Sequence, residues 1–86
     1  MFNILLLEDD ELFASTVEDF LTEEGFEVDI ASDGEECLEL NFKKNYDLYI
    51  FDINVPKING LELLEQLRTS GDNTPSIFLT DRKSVV

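Results

Sequence analysis

Three acids in this chain stand where they can do chemistry together. Asp52 follows the apolar run Leu48-Tyr49-Ile50-Phe51 directly, and Glu8 and Asp9 follow a second run that ends at Leu7. The run before Asp52 is short and lacks clean alternation, which suits a strand buried on both faces of a parallel sheet. In open α/β sheets, ligands bind just beyond the carboxyl ends of the strands, so an acid at that point is a candidate for chemistry rather than for the core. If the two strands are neighbours, the three carboxylates converge. Two unit charges about 4 Å apart repel by about 4 kcal/mol at an effective dielectric near 20. Relief comes either from a proton held through a raised pKa or from a cation. Hard oxygen ligands with positions left for water suit Mg²⁺ best. A metal held there can also bind phosphate oxygens, and a carboxylate is a covalent acceptor in phosphoryl chemistry. Thr80 ends a further apolar stretch, Ser76 to Leu79, and its hydroxyl could donate to a phosphate oxygen at the same edge.

Each of these residues also has a plainer reading. Glu8, Asp9 and Asp10 can cap the helix that follows and favour its positive end, and Asp10 is read first as such a cap. Asp52 can be a turn acid ahead of Pro56. Thr80 can be only a β-branched strand residue.

The elements that must position these groups follow from periodicity. Phe2 to Leu7 reads as a strand and Glu11 to Glu24 as a helix, with Phe13, Val17, Phe20 and Leu21 on one face and Leu12 beside them. Gly25 stops that helix. Phe26 to Ala31 alternates as a second strand. Ser32 and Glu35 have capping-box spacing and open a second helix through about Lys44, with Leu38 and Phe42 as its buried pair. A third strand ends at Asp52. Asn59 caps a third helix through about Arg68, with Leu61, Leu64 and Leu67 on one side and Leu63 widening that face. A turn cluster, Ser70 to Thr74, leads through Pro75 into a fourth strand, Ser76 to Leu79. The order βαβαβαβ implies parallel pairing through right-handed crossovers.

Composition narrows the function classes. The 86 residues allow one domain, 1–86, and 43% hydrophobic content argues against disorder. Twenty acids, 6 bases, no histidine and a net charge of −14 disfavour a nucleic-acid surface and an anionic membrane as partners. A lone cysteine, Cys37, permits no internal disulfide and fits a reducing, cytoplasmic compartment. No signal peptide or membrane span is legible, because the first apolar run is too short and lacks a basic flank.

The segments ILLLEDDE, DLYIFDINVPKING and PSIFLTD, with the spacing Asp52-x-x-x-Pro56-x-x-x-Gly60, resemble the receiver domain of two-component response regulators along almost the whole chain. The resemblance implies a flavodoxin-like doubly wound α/β sheet with strand order 2-1-3-4 for the strands present. It implies that Asp52 receives a phosphoryl group from a sensor histidine kinase and that Glu8 and Asp9 bind Mg²⁺ together with Asp52. It also implies that Asn54 lends the metal its backbone carbonyl and that Thr80 is the switch hydroxyl.

Two features depart from the family pattern. Asp81 stands where a small residue usually follows the switch threonine. The sequence also stops after the fourth strand, so the family's last helix-strand-helix is absent, and with it the lysine that pairs with the phosphoryl group. Neither Lys57 nor Lys83 matches that lysine's position. The expectation is an incomplete fold that self-associates through the edge of the fourth strand or through the uncovered face of the first helix. Two other functional classes stay open at this level. One is a small Mg²⁺-dependent phosphohydrolase using Asp52, which Asn54 disfavours because it cannot protonate a leaving group. The other is a binding module that is never phosphorylated.

Overall fold

The structure is a computed structural model that describes residues 1–55 and 57–79. Pro56, Thr80, Asp81, Lys83 and the rest of the tail, with the expectations placed on them, lie outside the described residues. The chain runs β1 (Asn3–Leu7), α1 (Glu11–Glu23), β2 (Glu27–Ala31), α2 (Gly34–Lys43), β3 (Leu48–Asp52), α3 (Gly60–Thr69) and β4 (Ser76–Leu79). The four strands form one parallel sheet in the order β2-β1-β3-β4. β1 and β3 are therefore neighbours, with Leu7 opposite Phe51, so the residues that follow them emerge side by side.

Alternation along the central strands builds two cores. Leu5 and Leu7 of β1 and Tyr49 and Phe51 of β3 face α2 and α3, where they pack with Cys37, Leu63 and Leu67. Ile4, Leu6 and Ile50 face the other way, toward Ala14, with Phe13, Val17 and Leu21 of α1 packed around them. Both faces of β1 and β3 are covered, which is why neither strand alternates with polar residues.

Four apolar residues assigned to helix faces point outward instead. Phe42 is 93% exposed, Leu12 79%, Phe20 63% and Leu61 52%. The other assigned residues pack as expected, Phe13, Val17 and Leu21 in α1, Leu38 in α2, and Leu63, Leu64 and Leu67 in α3, while Ala14 and Cys37 are the buried centres of α1 and α2. At about 100° per residue, Phe42 lies roughly 140° around the helix from Cys37. Small residues at Ala14 and Cys37 let the helices approach the sheet closely, and the larger side chains flank the contact.

The helix starts are capped by side chains. Asp10 accepts from the Phe13 amide and Asn59 from the Glu62 amide, as their positions in the sequence suggest. The second cap differs from expectation. Asp33, not Ser32, accepts from the Glu36 amide at 2.9 Å, and Glu36 reaches back to the amide and hydroxyl of Ser32. The box is shifted by one residue because Asp33–Glu36 has the same spacing as Ser32–Glu35, and a carboxylate is a strong cap.

At the opposite edge of the sheet from the acids, the Tyr49 hydroxyl meets Asn41 of α2 and Asp72 of the turn before β4. Asp72 also takes the amide and hydroxyl of Thr74. Nearby, burial works to raise the Asp29 pKa, but hydrogen bonds from Tyr46 and Lys44 and the Lys44 charge outweigh it, and the pKa is lowered. Among the described residues, no helix is long and apolar enough to cross a membrane.

Candidate functional site

The carboxyl ends of β1 and β3 bring Glu8, Asp9 and Asp52 together. One oxygen from each lies within 4.8 Å of the others. Glu8 and Asp52 are each only 1% exposed, whereas Asp9 faces solvent. A carboxylate buried to that degree needs hydrogen bonds to its oxygens. Each receives one from the backbone two residues ahead: the Asp10 amide donates to Glu8 Oε2 at 2.9 Å, and the Asn54 amide donates to Asp52 Oδ1 at 3.0 Å. The two acids thus sit in matching turns at the ends of adjacent strands.

The backbone fixes those turns in turn. The Glu8 amide donates to the Ala31 carbonyl at 2.9 Å, extending the β1–β2 ladder past the strand. The Ile53 amide does the same to Leu79 at 3.1 Å, and the Gly60 amide closes the following loop onto the Ile53 carbonyl at 3.2 Å. The plainer reading of the acidic run divides between neighbours. Asp10 turns its side chain to the start of α1, and Glu8 and Asp9 turn theirs to Asp52.

This donor set is all carboxylate oxygen. The sequence has no histidine, and its one cysteine is buried under α2. That chemistry fits a hard divalent cation such as Mg²⁺ and not a metal that selects nitrogen or sulfur. Two buried acids and one exposed acid leave the solvent side open to further oxygen ligands. Three ionised carboxylates within 4.8 Å of one another would repel by at least about 3.5 kcal/mol per pair at an effective dielectric near 20, which favours a cation among them.

Lys57 does not join the acids. Its ammonium lies 3.3 Å from Glu35 and 3.5 Å from Asp33 at the start of α2. On the far face of the sheet, Phe13, Val17, Phe20 and Leu21 of α1 and Ile50, Ile77 and Leu79 of the strands line an open apolar cleft of about 410 Å³.

Residues 4–86 match the family model of the response regulator receiver domain. The chain belongs to that family. It is 45% identical over 80 residues to the response regulator ArlR of Staphylococcus epidermidis, a match covering 93% of this chain and 36% of ArlR. It is 40% identical to the response regulator TrrA of Thermotoga maritima in complex with Mg²⁺ and BeF, with a TM-score of 0.87, covering 93% of this chain and 70% of that one. TrrA in complex with the histidine kinase ThkA matches at 40% identity and a TM-score of 0.86, covering 94% and 70%. The chain spans about a third of the length of the curated relatives it matches. The four-stranded sheet is the flavodoxin-like arrangement of the receiver fold. Receiver domains of two-component systems are signalling domains rather than enzymes, which sets the phosphohydrolase class aside.

Sequence reasoning located the three acids but not the groups that orient two of them. The amides of Asp10 and Asn54 carry no side-chain signature, since almost every residue has one.

Proposed function

We propose that this receiver chain is a phosphoacceptor in which Asp52 takes a phosphoryl group from a sensor histidine kinase, with Mg²⁺ held by Glu8, Asp9 and Asp52. The observation that carries this reading is the nearly complete burial of Asp52 within 4.8 Å of Glu8 and Asp9 at one sheet edge. A carboxylate oxygen of Asp52 forms the new bond to phosphorus as the bond from phosphorus to the kinase histidine nitrogen breaks, and that nitrogen keeps the electron pair. The Asn54 amide fixes the rotation of the carboxylate during this attack. Mg²⁺ bound there offsets the charge of the phosphoryl oxygens. Asn54 is assigned as the residue whose backbone carbonyl completes the metal site, and Thr80 as the switch hydroxyl that senses the product.

The complex of TrrA with ThkA supports a histidine kinase as the partner. A net charge of −14 supports the absence of nucleic-acid binding by residues 1–86, and the single cysteine supports a cytoplasmic setting. The apolar cleft between α1 and the strands, adjoining β4, supports self-association through that face or the β4 edge. Monodisperse monomer in sedimentation at micromolar concentration contradicts that assignment.

Beryllium trifluoride, a phosphoryl mimic, tests the site directly. Calorimetric titration should show binding that requires Mg²⁺ and disappears in Asp52→Asn. Equal binding by Asp52→Asn, or binding without Mg²⁺, contradicts the phosphoacceptor assignment.

A further inference from the structure

The loop after β3 carries the Asn54 amide that orients Asp52, and its described residues Lys57 and Ile58 are held against the start of α2. The Gly60 amide ties its start to its finish through the Ile53 carbonyl. In its middle, Ile58 lies against Gly34 at the first turn of α2, so closely that a Cβ on Gly34 would fall 2.7 Å from the Ile58 Cβ. Next to Ile58, Lys57 has φ of +71°, the sole positive φ at a non-glycine among the described residues. Such a backbone is unfavourable for a residue with a long side chain and persists where its surroundings hold it. Lys57 is held by two of the three ion pairs among the described residues, to Asp33 and to Glu35. The hydrogen bond to Glu35 and the charges of Asp33 and Glu35 raise the lysine pKa, so the ammonium stays charged through the physiological range.

We infer that Lys57 is a positioning residue, tying the Asp52–Asn54 turn to the start of α2 through Asp33 and Glu35 and thereby setting the cation affinity of the acidic site. The inference rests on the reading of that site as a Mg²⁺ site. Its sign separates it from a simple charge effect. Removing a cation near three carboxylates strengthens Mg²⁺ binding if charge alone matters. Removing a tie that holds the turn in place weakens it.

Calorimetric Mg²⁺ titrations of the full chain and its Lys57→Gln, Lys57→Arg, Glu35→Gln and Lys43→Gln variants test this, beside amide hydrogen exchange of the metal-free proteins. Lys43→Gln removes the same charge at the far end of α2. Lys57→Gln should weaken Mg²⁺ binding roughly two- to fivefold, the range for an exposed pair. It should also speed exchange of the Asn54 and Gly60 amides. Glu35→Gln should fall between it and the unmutated chain, Lys57→Arg should restore affinity, and Lys43→Gln should not weaken it. Mg²⁺ affinity in Lys57→Gln equal to or tighter than in the unmutated chain, or unchanged exchange at Asn54, overturns the inference. The expected order of Mg²⁺ affinities without any phosphoryl uptake by the unmutated chain overturns the phosphoacceptor assignment and leaves the role of Lys57 standing.

Discussion

Gly60 packs against the backbone carbonyl of Asp52 so closely that a Cβ on Gly60 would lie 2.6 Å from the carbonyl oxygen. The first residue of α3 therefore touches the residue that ends β3. Gly60→Ala must push α3 away from β3 or shift the Asp52 turn. It should destabilise the chain by about 1–3 kcal/mol, the usual range for overpacking. Thermal unfolding with and without Mg²⁺ checks this. The loss should be larger in the presence of Mg²⁺, because the displaced residue, Asp52, is one of the three acids of the proposed Mg²⁺ site.

Asp9 and Asp10 are neighbours with separate tasks, and substitution should separate them. Asp10→Ala removes the cap on the Phe13 amide and should cost about 1 kcal/mol of stability, with Mg²⁺ affinity changed little. The Asp10 backbone amide, which orients Glu8, survives that change. Asp9→Asn should weaken Mg²⁺ binding by about tenfold or more while leaving the metal-free protein as stable or more so, because one like charge is removed. Calorimetry paired with urea unfolding reads both quantities on both variants.

Cys37 should report on folding rather than take part in function. Its side chain is fully buried, and burial, helped by the charges of Asp33 and Glu36, pushes the thiol up to about 12. At pH 8 the folded chain should resist a thiol reagent and label only as it unfolds. Mg²⁺ should slow labelling further, since a ligand that binds only the folded state lowers the unfolded population. Rapid labelling in native buffer contradicts the packing of α2 on the sheet.

Acid should weaken the edge of the sheet opposite the acidic site. The Asp29 pKa is lowered in the folded chain from 3.8, by Tyr46 and Lys44 acting against burial. A depressed carboxylate contributes stability that is present above its unfolded pKa and is lost as pH falls through its folded value. Lys44→Gln removes one source of that depression. The stability difference between it and the unmutated chain should be about 0.5 kcal/mol near pH 7, given partial solvent screening. It should shrink toward zero as the pH drops below that of free aspartate. Urea unfolding across pH 2–7 measures it.

The sheet and the acids were legible in the sequence because both are written in side chains. Apolar runs closed by Glu8 and Asp52 mark buried parallel strands and their carboxyl ends, and the alternation of strands with helices sets the connections. Helical periodicity placed Phe13, Val17, Leu21, Leu38, Leu63, Leu64 and Leu67 on the packed faces but could not set the limits of those faces. Phe42 and Phe20 fit a helical period as well as Cys37 and Ala14 do, and only the approach of the sheet chooses between them. The Asp33 cap was masked by Ser32, one residue away with the same spacing to an acid. The amides on Glu8 and Asp52 were invisible because backbone donors do not depend on residue type. The ion pairs of Lys57 join residues more than twenty positions apart, a distance that no local pattern spans.

The most direct measurement is the intact mass of the chain after incubation with acetyl phosphate and Mg²⁺, beside Asp52→Asn and a sample with EDTA. The arrangement of Glu8, Asp9 and Asp52 predicts a gain of one phosphoryl group in the unmutated chain with Mg²⁺, and none in either control. A gain that persists in Asp52→Asn, or no gain from a chain that binds Mg²⁺, contradicts the assignment of Asp52 as the acceptor.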